Sequence, residues 1–158
     1  VNILVVVITI ALVVMFTLKF KRKKALALAN AEHGNAYLAK NKSREEVNET
    51  ESGLQFEILH RSDSEQRPTE ADKVTVHYHG TLIDGSVFDS SVDRGQPIDF
   101  FLTQVIAGWT EGLQLMAKGD KFRLYIPSHI AYGSRQVGTI PGGSVLIFDV
   151  ELLAINNA

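Results

Sequence analysis

The chain has 158 residues, 45% of them hydrophobic and 22% charged, which suffices for one domain of about 100 residues plus an extension. Its net charge of −2 is unevenly divided: residues 1–51 carry eight Lys/Arg against five Asp/Glu, and residues 52–158 carry eight against thirteen. A mildly acidic domain on a basic stem lacks the footprint of a nucleic-acid binder, and the absence of cysteine excludes disulfides, thiol catalysis and Cys-ligated metal.

Val1 to Leu18 is an almost unbroken apolar run in which only Asn2, Thr9 and Thr17 are polar. As a helix it would span about 27 Å, close to the hydrocarbon thickness of a bilayer. A cleaved signal peptide fits poorly, because no basic segment precedes the run and it stops in Lys19-Phe20-Lys21-Arg22-Lys23-Lys24 without a small-residue cleavage site. The sequence therefore predicts a retained single-pass anchor, residues 1–18, in the inner (cytoplasmic) membrane. All five flanking cations follow the run, so the positive-inside rule favours a cytoplasmic domain, with the periplasm as the alternative.

Residues 19–52 are expected to form a basic flank, a stalk helix and a linker. Ala25 to Lys40 is rich in helix formers, with Leu28, Ala31, Ala36 and Leu38 as a thin apolar stripe and Gly34 costing about 1 kcal/mol relative to Ala. This reads as a solvated stalk, with a dimerising helix as the alternative. Asn41 to Ser52 has one apolar residue in twelve and reads as linker.

The domain is expected to occupy residues 53–158. Leu54–Leu59 alternates as an entry strand. Val74, Val76 and Tyr78 alternate with Thr75, His77 and His79, a strand buried on one face, and Asp84-Gly85 then marks a hairpin turn. Pro97–Leu102 is a short strand. Val105, Ile106, Trp109, Leu113 and Met116 recur at helical spacing, Lys121–Ile126 alternates, Pro127–Gly143 is a long Gly- and Ser-rich loop, and Val145–Leu153 is a last strand. Five strands and one short helix imply an antiparallel α+β domain.

The chain has no P-loop, dinucleotide fingerprint or G-x-S-x-G, and Gly142-Gly143 lacks the Lys-Ser/Thr of a phosphate cradle. His77-x-His79 is half a metal site at most, lacking a nearby third ligand. Glu111 reads as a surface charge or cap-region partner. More telling are Phe88, Trp109 and Tyr132, which sit after a strand, at a helix start and in the long loop, where core residues are uncommon. A pocket with an indole floor, ring walls and Asp89 at its rim suits an apolar cyclic group beside a polar bond.

Four separated segments, V-H-Y-H-G-T-L-I-D-G-S-V-F-D-S-S, V-I-A-G-W-T-E-G-L, Ala131-Tyr132-Gly133 and I-P-G-G-S-V-L-I-F-D-V-E-L-L, resemble the FKBP-type peptidyl-prolyl isomerases in order and spacing over about residues 53–155. Asn41–Leu54 resembles the junction before the domain in the macrophage infectivity potentiator group, whose N-terminal dimerisation domain is here expected to be replaced by the membrane span. The resemblance implies a five-stranded half-barrel wrapped on one short helix, with a proline pocket between them. It makes Trp109 the pocket floor and Tyr78, Phe88, Phe100 and Phe148 its walls. It puts Val105 and Ile106 at the rim, with the Ile106 N–H donating to a substrate carbonyl. Tyr132 would donate its hydroxyl near the proline, Asp89 paired with Arg94 would supply rim polarity, and Ile140 would cover the pocket. No cofactor or metal is implied; the ligands implied are proline-containing polypeptides and macrolide inhibitors. Ile98 stands where many members have an aromatic, and residues 134–140 lack the family's common His and second Pro, departures that bear on substrate preference. Two readings stay open beside the isomerase: a proline-segment binding module or chaperone with negligible turnover, and a tether with a ligand-binding head.

Overall fold

A computed structural model describes residues 2–156. Its first element, α1 (Ile3–Asn41), is one uninterrupted helix of 39 residues, so the apolar run and the stalk are continuous. No proline interrupts it, and the Asn2 side chain caps its start by accepting from the Leu4 N–H at 3.2 Å. Its N-terminal part is exposed all round and is long and apolar enough to cross a membrane.

The stalk half is not solvated on every side. Ala27, Gly34, Leu38 and Asn41 are buried, a stripe at helical spacing that docks against the domain, whereas Leu28 and Ala36 of the expected stripe face solvent. Close approach is the reason: a Cβ on Gly34 would lie 2.7 Å from Val145 Cγ2. Mostly small and polar residues make this contact, and of the thin apolar stripe read from the sequence only Leu38 is buried in it, with Ala31 half-buried. Leu38 joins Tyr125 and Val145 in a small apolar cluster, flanked by Tyr37, Val47 and Ile147.

The expected linker is also structured. After α1, β1 (Val47–Glu49) pairs antiparallel with β2 (Gln55–His60). Gln55, fully buried, binds the end of α1: its Nε2 donates to the Leu38 carbonyl and to Glu49 at 2.9 Å each, while its Oε1 accepts from Asn41 at 2.9 Å. Backbone pairing and polar contacts hold a segment whose single apolar residue, Val47, gave no hydrophobic signal.

The remaining strands are β3 (Lys73–Thr81), β4 (Val87–Ser90), β5 (Ile98–Phe101), β6 (Lys121–Ile126) and β7 (Leu146–Asn156). The sheet runs β1-β2-β6-β7-β3-β4, all pairs antiparallel, and β5 pairs with β3 as well. Among the described residues it thus has seven strands where five were expected; β1 and β4 are too short to show a period. β3 is the central strand, with Val74, Val76, Tyr78 and Gly80 inward as the alternation predicts. β4 and β5 share one edge of β3 because a single helical turn, α2 (Ser91–Arg94), separates them, capped by Ser90 Oγ accepting from the Asp93 N–H. The short helix α3 (Ala107–Gln114) covers the inward face and is tighter than its pattern suggested, Val105 and Ile106 preceding it and Met116 following. Asp120, with no exposed side-chain surface, fixes the turn before β6. It accepts from the Ala117 and Ser62 N–H groups at 2.9 and 2.8 Å and from Arg61 at 2.8 Å.

Candidate active site

The inward face of β3 carries Tyr78 to the open end of the sheet, where it meets β4, β5, β7 and the start of α3 around a cavity of about 740 Å³. Trp109 lies in the first turn of α3, only 5% exposed. Three rings surround its indole: Phe148 of β7 at 4.9 Å between centroids, Tyr78 at 5.2 Å and Phe100 of β5 at 5.2 Å, the first two edge-on at 82° and 83°. Phe88 of β4 meets Phe148 edge-to-face at 5.3 Å. Such contacts add about 0.5–1.5 kcal/mol each beyond area burial, so the box is preformed. It closes because residue 80 is glycine: a Cβ there would sit 2.7 Å from Phe88 and 2.8 Å from Phe148. The Trp109 Nε1–H is the one buried side-chain polar atom without a partner among the described residues.

A polar triad stands at the rim. The Tyr78 hydroxyl donates to Asp89 Oδ2, Arg94 Nη1 donates to Asp89 Oδ1, and Arg94 Nη2 donates to the Tyr78 oxygen at 3.2 Å. α2 makes this possible, since its one turn brings Arg94 back over Asp89. Burial and the bond to Asp89 raise the Tyr78 pKa above the usual phenol value. Burial also pushes Asp89 upward, but the Tyr78 and Arg94 hydrogen bonds outweigh it and hold the carboxyl below its ordinary range. The triad therefore stays a neutral phenol, a carboxylate and a guanidinium.

Facing it, the loop between β6 and β7 supplies Tyr132, Val137 and Ile140. Val137 and Ile140 exchange backbone hydrogen bonds of 3.0 and 2.9 Å across a turn with Gly138 at φ 54°, which carries the Ile140 side chain over the cavity. Two donors remain free: the Tyr132 hydroxyl and the Ile106 N–H take part in no hydrogen bond among the described residues.

Eleven of the twelve expected site residues, Tyr78, Phe88, Asp89, Ile98, Phe100, Val105, Ile106, Trp109, Tyr132, Ile140 and Phe148, line this one cavity, and Arg94 braces it from outside. Gln104 and Arg135 line it too and were not anticipated; Arg135 is a lone charge in a Gly- and Ser-rich loop. His77 and His79 are engaged singly, with Ser91 Oγ at 2.6 Å and Ser90 Oγ at 2.8 Å. Glu111 is not a free surface charge: it accepts from the hydroxyls of Thr50, at 2.7 Å, and Ser52, tying α3 to the turn after β1.

Residues 64–153 match the family described as FKBP-type peptidyl-prolyl cis-trans isomerase, and residues 9–58 match the domain amino terminal to it. The second match corrects the expectation that the membrane span replaces that amino-terminal domain: α1 is itself part of the matching region. The chain is 54% identical over 129 residues to the FKBP-type isomerase FkpA of Aeromonas hydrophila, covering 82% of this chain and 48% of that protein. It is 43% identical over 130 residues to the outer membrane protein MIP of Legionella longbeachae, covering 82% and 55%. The crystal structure of FkpA from Escherichia coli superposes with a TM-score of 0.85 at 38% identity, over 94% of this chain and 71% of that one. The chain thus spans about half the length of the curated relatives it matches.

Proposed function

Because the chain belongs to the FKBP-type peptidyl-prolyl cis-trans isomerases, we propose that it catalyses rotation about X–Pro bonds of polypeptides in the cavity floored by Trp109. Amide resonance opposes that rotation by about 18–20 kcal/mol. The twisted transition state has lost the resonance and is less dipolar, so a dry aromatic box disfavours the planar ground state relative to it. In this reading the proline ring rests on Trp109 between Tyr78, Phe88, Phe100 and Phe148. Val105 and Ile98 shape the rim, and Ile140 covers it. The Ile106 N–H and the Tyr132 hydroxyl hold the flanking carbonyls out of the amide plane. Asp89, held by Arg94, keeps the rim polar, and a macrolide ring would compete for the same box. Rotation about one bond requires no nucleophile. The single observation that carries the reading is the preformed aromatic box with two uncommitted donors at its mouth.

Residues 1–18 serve in this reading as a membrane anchor, and the five cations that follow support a domain on the cytoplasmic side. A phosphatase reporter fused after Ala158 that is active in the periplasm would reverse the orientation. For the catalysis itself, the test is the cis-to-trans rate of a Leu-Pro peptide with the full chain in detergent micelles, beside Asp89→Ala and Tyr132→Phe. Acceleration by the parent chain, sharply reduced in at least one variant, is expected. A folded chain giving no acceleration would make the cavity a binding site for proline segments instead.

A further inference from the structure

A second cavity, of about 830 Å³, lies between α1 and the loop that forms one wall of the proline pocket. The stripe of α1 that docks on the domain does not stop at the domain's edge. It continues past Ala27 to Lys24, Lys23 and Phe20, leaving a cleft between these side chains and residues 133–136. Its charge is one-sided: Lys23, Lys24 and Arg135 line it, no carboxylate does, and none of the three is in an ion pair among the described residues.

Height along the helix identifies the occupant. Lys23 and Lys24 follow the end of the apolar run by five and six residues, about 7.5–9 Å of helix. Each headgroup layer is about 5–8 Å deep beyond the hydrocarbon. With Leu18 at the hydrocarbon edge, Phe20 lies within the headgroups and the cleft opens at their outer margin.

We propose that this cleft holds the headgroup phosphate of an anionic phospholipid from the leaflet that α1 leaves, with Lys23 and Lys24 on one side and Arg135 on the other. The inference rests on the reading of residues 1–18 as a membrane anchor. Arg135 also lines the proline pocket, so a bound headgroup fixes the loop wall of the isomerase site as well as the height of the domain. The loop is already tied to the stalk nearby, where Asn30 Nδ2 donates to the Gly142 carbonyl at 2.9 Å and Gly143 packs on the Ala27 backbone.

The test uses the full chain in nanodiscs of equal phosphatidylglycerol and phosphatidylcholine, with retained lipid counted by native mass spectrometry after release. Phosphatidylglycerol should be retained over phosphatidylcholine. Arg135→Gln should reduce that preference about fivefold, the amount expected for one cation near an anionic surface, and Arg135→Lys should restore it. The paired change Lys21→Gln and Arg22→Gln removes flank cations outside the cleft and should change it much less. A loss from the flank pair as large as that from Arg135→Gln, or no loss from Arg135→Gln, would reduce the effect to general attraction and overturn the site. Displacement by millimolar inorganic phosphate would reassign the cleft to small anions and overturn the lipid. A chain that fails to enter nanodiscs, or is extracted from vesicles by alkaline carbonate, would instead sink the anchor reading beneath it.

Discussion

The two walls of the aromatic cavity hold their shape in different ways. On the sheet side, Tyr78, Phe88, Phe100, Trp109 and Phe148 touch one another, and each ring is placed by a strand or helix that the core also needs. On the loop side, Tyr132 and Arg135 are held by a few turn hydrogen bonds and by the docked helix α1, and only Ile140 is buried in the core. Damage to the first wall should therefore cost fold and function together. Damage to the second should change function while the fold persists.

The severest way to break the comparison is Trp109→Ala. It removes a buried indole from the middle of the aromatic box, so stability should fall by about 3–5 kcal/mol and isomerisation by about 100-fold or more. Urea unfolding and the peptide assay, run side by side, check both. If activity fell while stability did not, the sheet wall would not be a folding element.

Gly34→Val attacks the loop wall from behind. The new side chain meets Val145, which follows the loop, and overpacking of this kind costs about 1–3 kcal/mol. The expected kinetic signature is a higher KM with a nearly unchanged kcat, because the rings are untouched and only the loop shifts. An equal loss in kcat would show that the two walls are not separable.

Tyr132→Phe removes one uncommitted donor from a half-buried ring that stays in place, and should leave stability within about 0.5 kcal/mol, while kcat/KM falls about tenfold, the worth of one hydrogen bond made in the transition state. The smallest effect is expected from pH. Asp89 and Asp120 both titrate below their ordinary range, Asp120 because backbone and Arg61 contacts outweigh its burial. A depressed carboxylate stabilises the fold above its unfolded pKa of about 3.9 and loses that contribution as pH falls through the lower folded value. Activity and melting temperature should thus stay flat in these two groups from about pH 8 to pH 5, with loss confined to more acid solution. A midpoint near pH 6 would implicate a different group.

The same contrast explains what could be read from the chain in advance. Alternation in β3, β6 and β7 and the spacing around Trp109 follow from burial of large apolar side chains, which leaves a period in the sequence. Family resemblance then assigned Tyr78, Asp89, Arg94 and their neighbours to one pocket. What stayed hidden depends on small or polar groups. Ala27, Asn30 and Gly34 dock a helix through closeness and a carbonyl contact, with Leu38 its one large buried apolar side chain. Val47–Glu49 becomes a strand through backbone pairing, the polar contacts of Glu49 and a single valine against a small cluster. Glu111 looked like surface until Thr50 and Ser52 were folded onto it. Arg135 gained its place at two cavities from a turn in which its N–H donates to the Tyr132 carbonyl around Gly133 at φ 62°, which no periodicity announces.

The unbroken course of α1 also makes the chain a screw. Each residue of an α-helix advances the axis by about 1.5 Å and turns it by about 100°. Adding one alanine after Lys24, between the apolar run and the docking stripe, would lift the domain only slightly yet swing the mouth of its pocket more than a quarter turn about the axis. Adding seven would lift it about 10 Å and bring it nearly back into phase. Which way the pocket faces is thus set by residue count, and a ladder of insertions becomes a goniometer for finding the direction from which substrates arrive.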